Sequence, residues 1–81
     1  MRYVVHPEEL INAAIRSGLL SPEEAHSPNV RSAAHEEAAD LADHWPAGEG
    51  FGSSDMTYLI QSFLEHAGFK TKFVNHRLSR V

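Results

Sequence analysis

The sequence predicts an α+β domain, with about three to four helices packed on a small antiparallel sheet in the order β-α-(short α)-α-α-β-β, ending in a C-terminal hairpin. Three observations carry that expectation. Proline-led start signals with acidic first turns recur at Pro7 and Pro22, and a further Ser-Pro pair opens a run at Pro28. Apolar residues in the runs that follow recur at helical spacing. After Gly68 the pattern changes to alternation around Asn75-His76, as a hairpin requires. With 81 residues the chain is expected to be a single small globular domain, 1–81.

The elements follow in order. Residues 2–6 contain Tyr3, Val4 and Val5 and read as a short strand by propensity. Pro7 suits a first helical position, Glu8 and Glu9 suit the positive end of a helix dipole, and Leu10, Ile11, Ala14 and Ile15 share one face. Gly18 is placed to stop that helix. Ser21-Pro22-Glu23-Glu24 opens a second helix, held to about one turn by Ser27-Pro28. Ser27 then caps the longest helix, residues 28–44, with Val30, Ala33, Ala34, Ala38, Leu41, Ala42 and Trp45 on one stripe. Small alanines let a neighbour come close, and Trp45 is the one large anchor. Residues 46–52 hold three glycines and a proline, so no regular element is expected there. Ser53 or Ser54 is expected to cap the next helix, whose stripe is Met56, Leu59, Ile60, Phe63 and Leu64. Beyond Gly68, a two-residue turn at Asn75-His76 puts Phe73 opposite Leu78, with Phe69 and Thr71 on their side. The stripe from Met56 to Leu64 is expected to pack on the sheet, against Phe73, Leu78 and Val4 or Val5. The first strand is expected to pair with the hairpin, because a lone hairpin is marginal in water.

Composition narrows the function. There is no cysteine, hence no disulfide framework, thiol nucleophile or thiolate metal site. No apolar run exceeds four residues, against about 20 for a membrane span. The opening residues lack the apolar stretch of a secretory signal, so a cytoplasmic protein with no membrane partner is expected. The net charge of −4 is unevenly laid out. Residues 8–55 hold ten acids and two bases, while residues 69–81 hold four bases and no acid. Such a chain is a poor non-specific nucleic-acid binder, although Lys70, Lys72, Arg77 and Arg80 on the hairpin form a local basic stripe.

No reactive constellation is expected, so no enzyme, no catalytic residue, no cofactor and no metal site. Asp40 and His44 are i, i+4 neighbours that can share a cation, but the order is not H-E-x-x-H and no second helix carries a matching pair. The glycine-rich 48–54 segment lacks a following lysine, and Glu49 and Asp55 repel phosphate. Six scattered histidines suit surface positions. Phe51 among glycines is either tucked onto the core or exposed to grip a partner, and both readings stay open.

The expected function is therefore docking. Glu36, Glu37, Asp40, Asp43, Glu49 and Phe51 are the expected partner-binding residues, an acidic helical surface able to cover a basic groove on a nucleic-acid-binding protein complex. In its small size, absent cysteines and acidic helical region the chain resembles phage- or mobile-element-encoded inhibitors, among them anti-CRISPR proteins. The resemblance is one of size and composition across the whole chain and rests on no motif. It implies a host nucleoprotein complex as target, blocked from nucleic acid, in the host cell cytoplasm; the chain itself is expected to be a monomer or homodimer. The alternative is a small nucleic-acid-binding or regulatory protein that uses Lys70, Lys72, Arg77 and Arg80.

Overall fold

The computed structural model describes residues 2–81. Its elements are α1 (Pro7–Arg16), α2 (Pro22–Ala25), α3 (Pro28–His44), α4 (Ser53–His66), β1 (Thr71–Val74) and β2 (Arg77–Arg80). The expected α+β class and the C-terminal antiparallel hairpin are both present.

Local chemistry fixes the boundaries. At α1 the His6 N–H donates to Glu9 Oε1 at 3.2 Å, with Pro7 first in the helix. At α2 Ser21 and Glu24 form a reciprocal capping box, at 2.9 and 3.1 Å. α1 and α4 end alike. Gly18 (φ +74) and Gly68 (φ +99) take the left-handed conformation, and the residue after each donates back across the last turn. These bonds are Leu19 N–H to Ala14 O at 3.0 Å and Phe69 N–H to Leu64 O at 2.9 Å. They are Schellman closures, which an L side chain at the glycine would strain. α4 starts one or two residues earlier than a cap at Ser53 or Ser54 would place it. Gly52, not a serine, is the N-cap, because the Asp55 carboxylate accepts the Gly52 N–H at 2.9 Å.

The expected first strand does not form: residues 2–6 are irregular. Val5 is instead buried in the core just ahead of the α1 cap, and Leu10 is buried one turn on. These are the two positions of a hydrophobic staple, which fixes how the chain enters the helix. Pulling Val5 inward takes the segment away from the sheet.

The core lies between helices. α1, α3 and α4 pack on one another. The interior is Leu10, Ile11 and Ala14 from α1, Val30, Ala33 and Ala34 from α3, and Leu59, Ile60, Phe63 and Leu64 from α4. The alanine face of α3, Ala33, Ala34 and Ala38, is buried. Asn29 Nδ2 ties the start of α3 to the Ala67 carbonyl at 2.8 Å, and Arg31 pairs with Glu8 between α3 and α1.

The hairpin is a two-stranded sheet in the expected register, Phe73 opposite Leu78. Asn75 and His76 both have positive φ (51° and 64°), as the two-residue turn demands. Phe73, however, is 44% exposed and belongs to no core. It leans on Tyr58 of α4, ring centroids 5.9 Å apart, while Leu78 and Phe69 are half-buried against the helices. A two-stranded sheet persists without a third strand because side chains pin it. Thr71 Oγ1 donates to Glu65 Oε2 at 2.7 Å, and Arg80 Nη1 donates to Glu24 Oε1 at 2.7 Å and to the Leu19 carbonyl at 3.3 Å. The Arg80 guanidinium also lies 4.1 Å from the centre of the Phe69 ring.

Candidate functional site

The C-terminal half of α3 and the N-terminal half of α4 diverge around the 46–52 loop and leave an open groove of about 280 Å³. Its walls are apolar and aromatic: Leu41 and Trp45 from α3, Phe51 from the loop, Tyr58 and Leu59 from α4. Carboxylates rim it, Glu37 and Asp40 from α3 and Asp55 from α4, with His44 beside them. Aromatic rings and several carboxylates thus line a common concavity.

Each part is held by a local device. Trp45 leaves the helix in extended conformation, with its N–H still bonded to Leu41 O at 2.8 Å. Its indole Nε1 donates to the Glu49 carbonyl at 3.0 Å, and the Glu49 N–H donates to Pro46 O at 3.2 Å. The loop is thus folded round the indole. Phe51 meets Trp45 edge to face, ring centroids 5.1 Å apart at 69°, in a favoured aromatic arrangement. Phe51 is half-buried against the core, so it is both staple and groove wall. Tyr58 is 62% exposed at the opposite wall.

The carboxylates are positioned through one oxygen each. Asp55 Oδ2 accepts the Gly52 N–H. Asp40 Oδ1 lies 3.3 Å from His44 Nδ1, and Glu37 Oε1 lies 3.1 Å from His66 Nδ1. Among the described residues, the second oxygen of each takes no protein hydrogen bond. His44 is held above its ordinary pKa first by its hydrogen bond to the Asp40 carbonyl, then by the Asp40 and Asp43 charges. A cation also suits the C-terminal end of a helix. His66 is raised as well, first by its hydrogen bond to Glu37 and then by the charge of Glu36, against desolvation. With Nε2 2.7 Å from Glu36 and Nδ1 on Glu37, it clamps α4 to α3 just behind the groove.

The expected partner-binding residues divide. Glu37, Asp40 and Phe51 line the groove. Glu36 faces outward onto His66, Asp43 is exposed beyond the rim, and Glu49 contributes its carbonyl to Trp45. Trp45, Asp55 and Tyr58 were not among the expected site residues. The signal that finds them is the pairing of α3 with α4, which no local pattern contains. Asp40 and His44 do approach each other, and no group of three or more His, Asp or Glu side chains is placed to hold a metal among the described residues.

The basic stripe also divides. The register puts Lys72 and Val74 on one face with Ser79 and Arg77, and Arg80 on the other with Thr71. Lys70, Lys72 and Arg77 are exposed and form no ion pair among the described residues, while Arg80 is bound to Glu24. No helix among the described residues is long and apolar enough to cross a membrane. No protein-family model, curated protein or solved structure matches the chain, so the groove is read on its own chemistry.

Proposed function

We propose that the protein is a non-enzymatic binding module that docks on a protein partner through the acid-rimmed α3–α4 groove. The partner surface it fits is basic, as on a nucleic-acid-binding complex, and covering it blocks nucleic acid. In this reading the protein works in the cytoplasm as an inhibitor of the phage-encoded, anti-CRISPR kind. The observation that carries it is the joining of Glu37, Asp40 and Asp55 to the walls of Trp45, Phe51 and Tyr58. Aromatic anchors in a pocket supply affinity, while rim charges steer association and reject wrong partners.

The test is affinity capture from nuclease-treated bacterial lysate, with the unmutated protein and an Asp40→Lys/Asp43→Lys variant as baits. The expected result is a stoichiometric protein with a basic nucleic-acid-binding surface, lost with the variant and displaced by its own nucleic acid. Recovery of no stoichiometric protein overturns the proposal.

A second reading, nucleic-acid binding by the hairpin, is favoured by the exposed cations Lys70, Lys72 and Arg77 on a ribbon whose opposite face carries the exposed Phe73 beside Tyr58. Exposed rings offer stacking faces and cations track phosphates. Low-salt gel shifts with Lys70, Lys72, Arg77 and Arg80 replaced by alanine decide it, and no shift by the unmutated protein ends it.

A further inference from the structure

We infer that the α3–α4 groove recognises an arginine side chain presented by a basic segment of the protein partner. The inference rests on the docking reading above and names the chemistry of its central contact. A groove of about 280 Å³ has room for one long side chain. What lines it selects among side chains. Trp45, Phe51 and Tyr58 offer aromatic rings, whose faces attract a cation lying over them. Glu37, Asp40 and Asp55 each present an oxygen that takes no protein hydrogen bond among the described residues. An apolar guest would leave these acceptors desolvated without partners, and an acidic guest would be repelled.

Between the two cationic side chains the geometry favours arginine. Its planar guanidinium stacks on a ring and still turns several N–H groups outward to separate carboxylates, whereas an ammonium is a compact, strongly hydrated point charge. The chain itself builds this combination once. Arg80 lies 4.1 Å over the Phe69 ring while donating to Glu24 at 2.7 Å and to a backbone carbonyl. In the groove the ring and the carboxylates come from α3, α4 and the loop, and the guanidinium comes from the partner.

The single tryptophan of the chain stands in the groove wall and reports occupancy directly. Blocked Gly-Gly-Arg-Gly-Gly is titrated into the unmutated protein, following Trp45 fluorescence and the indole N–H resonance, beside the same peptide carrying lysine or citrulline. The arginine peptide is expected to give a saturable change at millimolar concentration. Lysine is expected to bind more weakly, and neutral citrulline at least about fivefold more weakly. Asp40→Asn and Tyr58→Leu alter exposed side chains, and each is expected to lower the arginine affinity several-fold with the amide spectrum otherwise retained. An arginine peptide that leaves Trp45 unperturbed, or binds no better than citrulline, overturns the assignment. So does a reversible dimer, lost in Arg77→Ala, that occupies the groove itself. Docking on a protein partner falls separately, by the capture experiment, so the two failures are distinguishable.

Discussion

Arg80 separates two roles that the basic tail offers, and its replacement tests the fold and the nucleic-acid reading together. Arg80→Ala removes three contacts at once. The ion pair with Glu24 is about one-third exposed on both sides (34% and 33%), which discounts it to about 0.2–1 kcal/mol. The hydrogen bond to the Leu19 carbonyl is worth about 0.5–1.5 kcal/mol, and stacking on Phe69 about 0.5–1 kcal/mol. One guanidinium makes all three, so the terms are not additive, and the expected loss is about 1–3 kcal/mol. In a domain of this size each kcal/mol moves Tm by about 4–8 °C. Thermal and urea unfolding followed by far-UV circular dichroism gives the value directly. Lys72→Ala, on the other face of the same ribbon, is expected within about 0.5 kcal/mol of the unmutated protein. Glu24 is held below its ordinary pKa first by its hydrogen bond to Arg80. A lowered carboxylate adds stability above its unfolded pKa and loses it as pH falls through the folded one. The Arg80→Ala deficit is therefore expected to shrink as the solution is acidified below about pH 4.5. Equal stability of Arg80→Ala and Lys72→Ala would refute the latch and return Arg80 to the pool of exposed cations.

Phe63 is wholly buried and Phe73 is 44% exposed, so Phe63→Ala should cost about 3–5 kcal/mol and Phe73→Ala less than about 1 kcal/mol, with Phe63→Leu as a milder probe if the alanine variant does not fold; comparable costs would contradict a core placed between the helices. The His66 clamp binds two carboxylates and has a raised pKa. Its stabilisation is expected in full below the unfolded histidine value of about 6.5, fading as pH rises through the higher folded value. The Tm gap between the unmutated protein and His66→Gln should accordingly close with rising pH, and a constant gap refutes the clamp. His76 sits at φ 64°, so His76→Gly should stabilise the hairpin by up to about 1 kcal/mol, read as a higher urea midpoint.

What the sequence made legible was whatever local chemistry decides. Prolines at first helical positions, the Ser21–Glu24 box, the glycines closing α1 and α4, and the Asn75-His76 turn act within a few residues, and each element they bound lies where expected. The first strand failed because β propensity at Tyr3, Val4 and Val5 competes with burial, and Val5 gains more against the helical core than at a sheet edge. Phe73 failed for a related reason. Alternation tells which residues share a face of the ribbon, not whether a helix covers that face, and Leu78 packs on the core while Phe73 stays 44% exposed beside Tyr58. At the site, the acidic composition of α3 was visible, but no periodicity reveals that Asp55 and Tyr58 come from a helix across a gap. Trp45 was visible as an anchor, yet its bond to the Glu49 carbonyl, which shapes the wall, is a loop interaction with no pattern of its own.

The opposed charges of the two halves are reconciled only in part inside the fold, and the remainder is what gives the molecule two faces. Arg80 takes up Glu24, Arg31 takes up Glu8, and His66 spans Glu36 and Glu37. Each of these pairs joins elements distant in sequence, so the acids and bases they use are spent on holding helices and hairpin together. Asp40, Asp55 and the second oxygen of Glu37 are left facing the groove, while Lys70, Lys72 and Arg77 stand on the exposed ribbon. Groove and ribbon meet at Tyr58, which lines the first and leans on Phe73 of the second. On the proposed docking, a basic partner surface seated on the acidic groove would reach the ribbon at its Phe73 face, with Lys72 and Arg77 on the face behind it. On that proposal the positive charge of the ribbon would disfavour a basic surface that extends past Phe73, and so would restrict which way round it docks. Replacing Lys72 and Arg77 together with glutamate should consequently loosen orientation and admit basic proteins that the native chain rejects, read as additional species in the capture experiment; an unchanged set would show that the ribbon plays no part in selection.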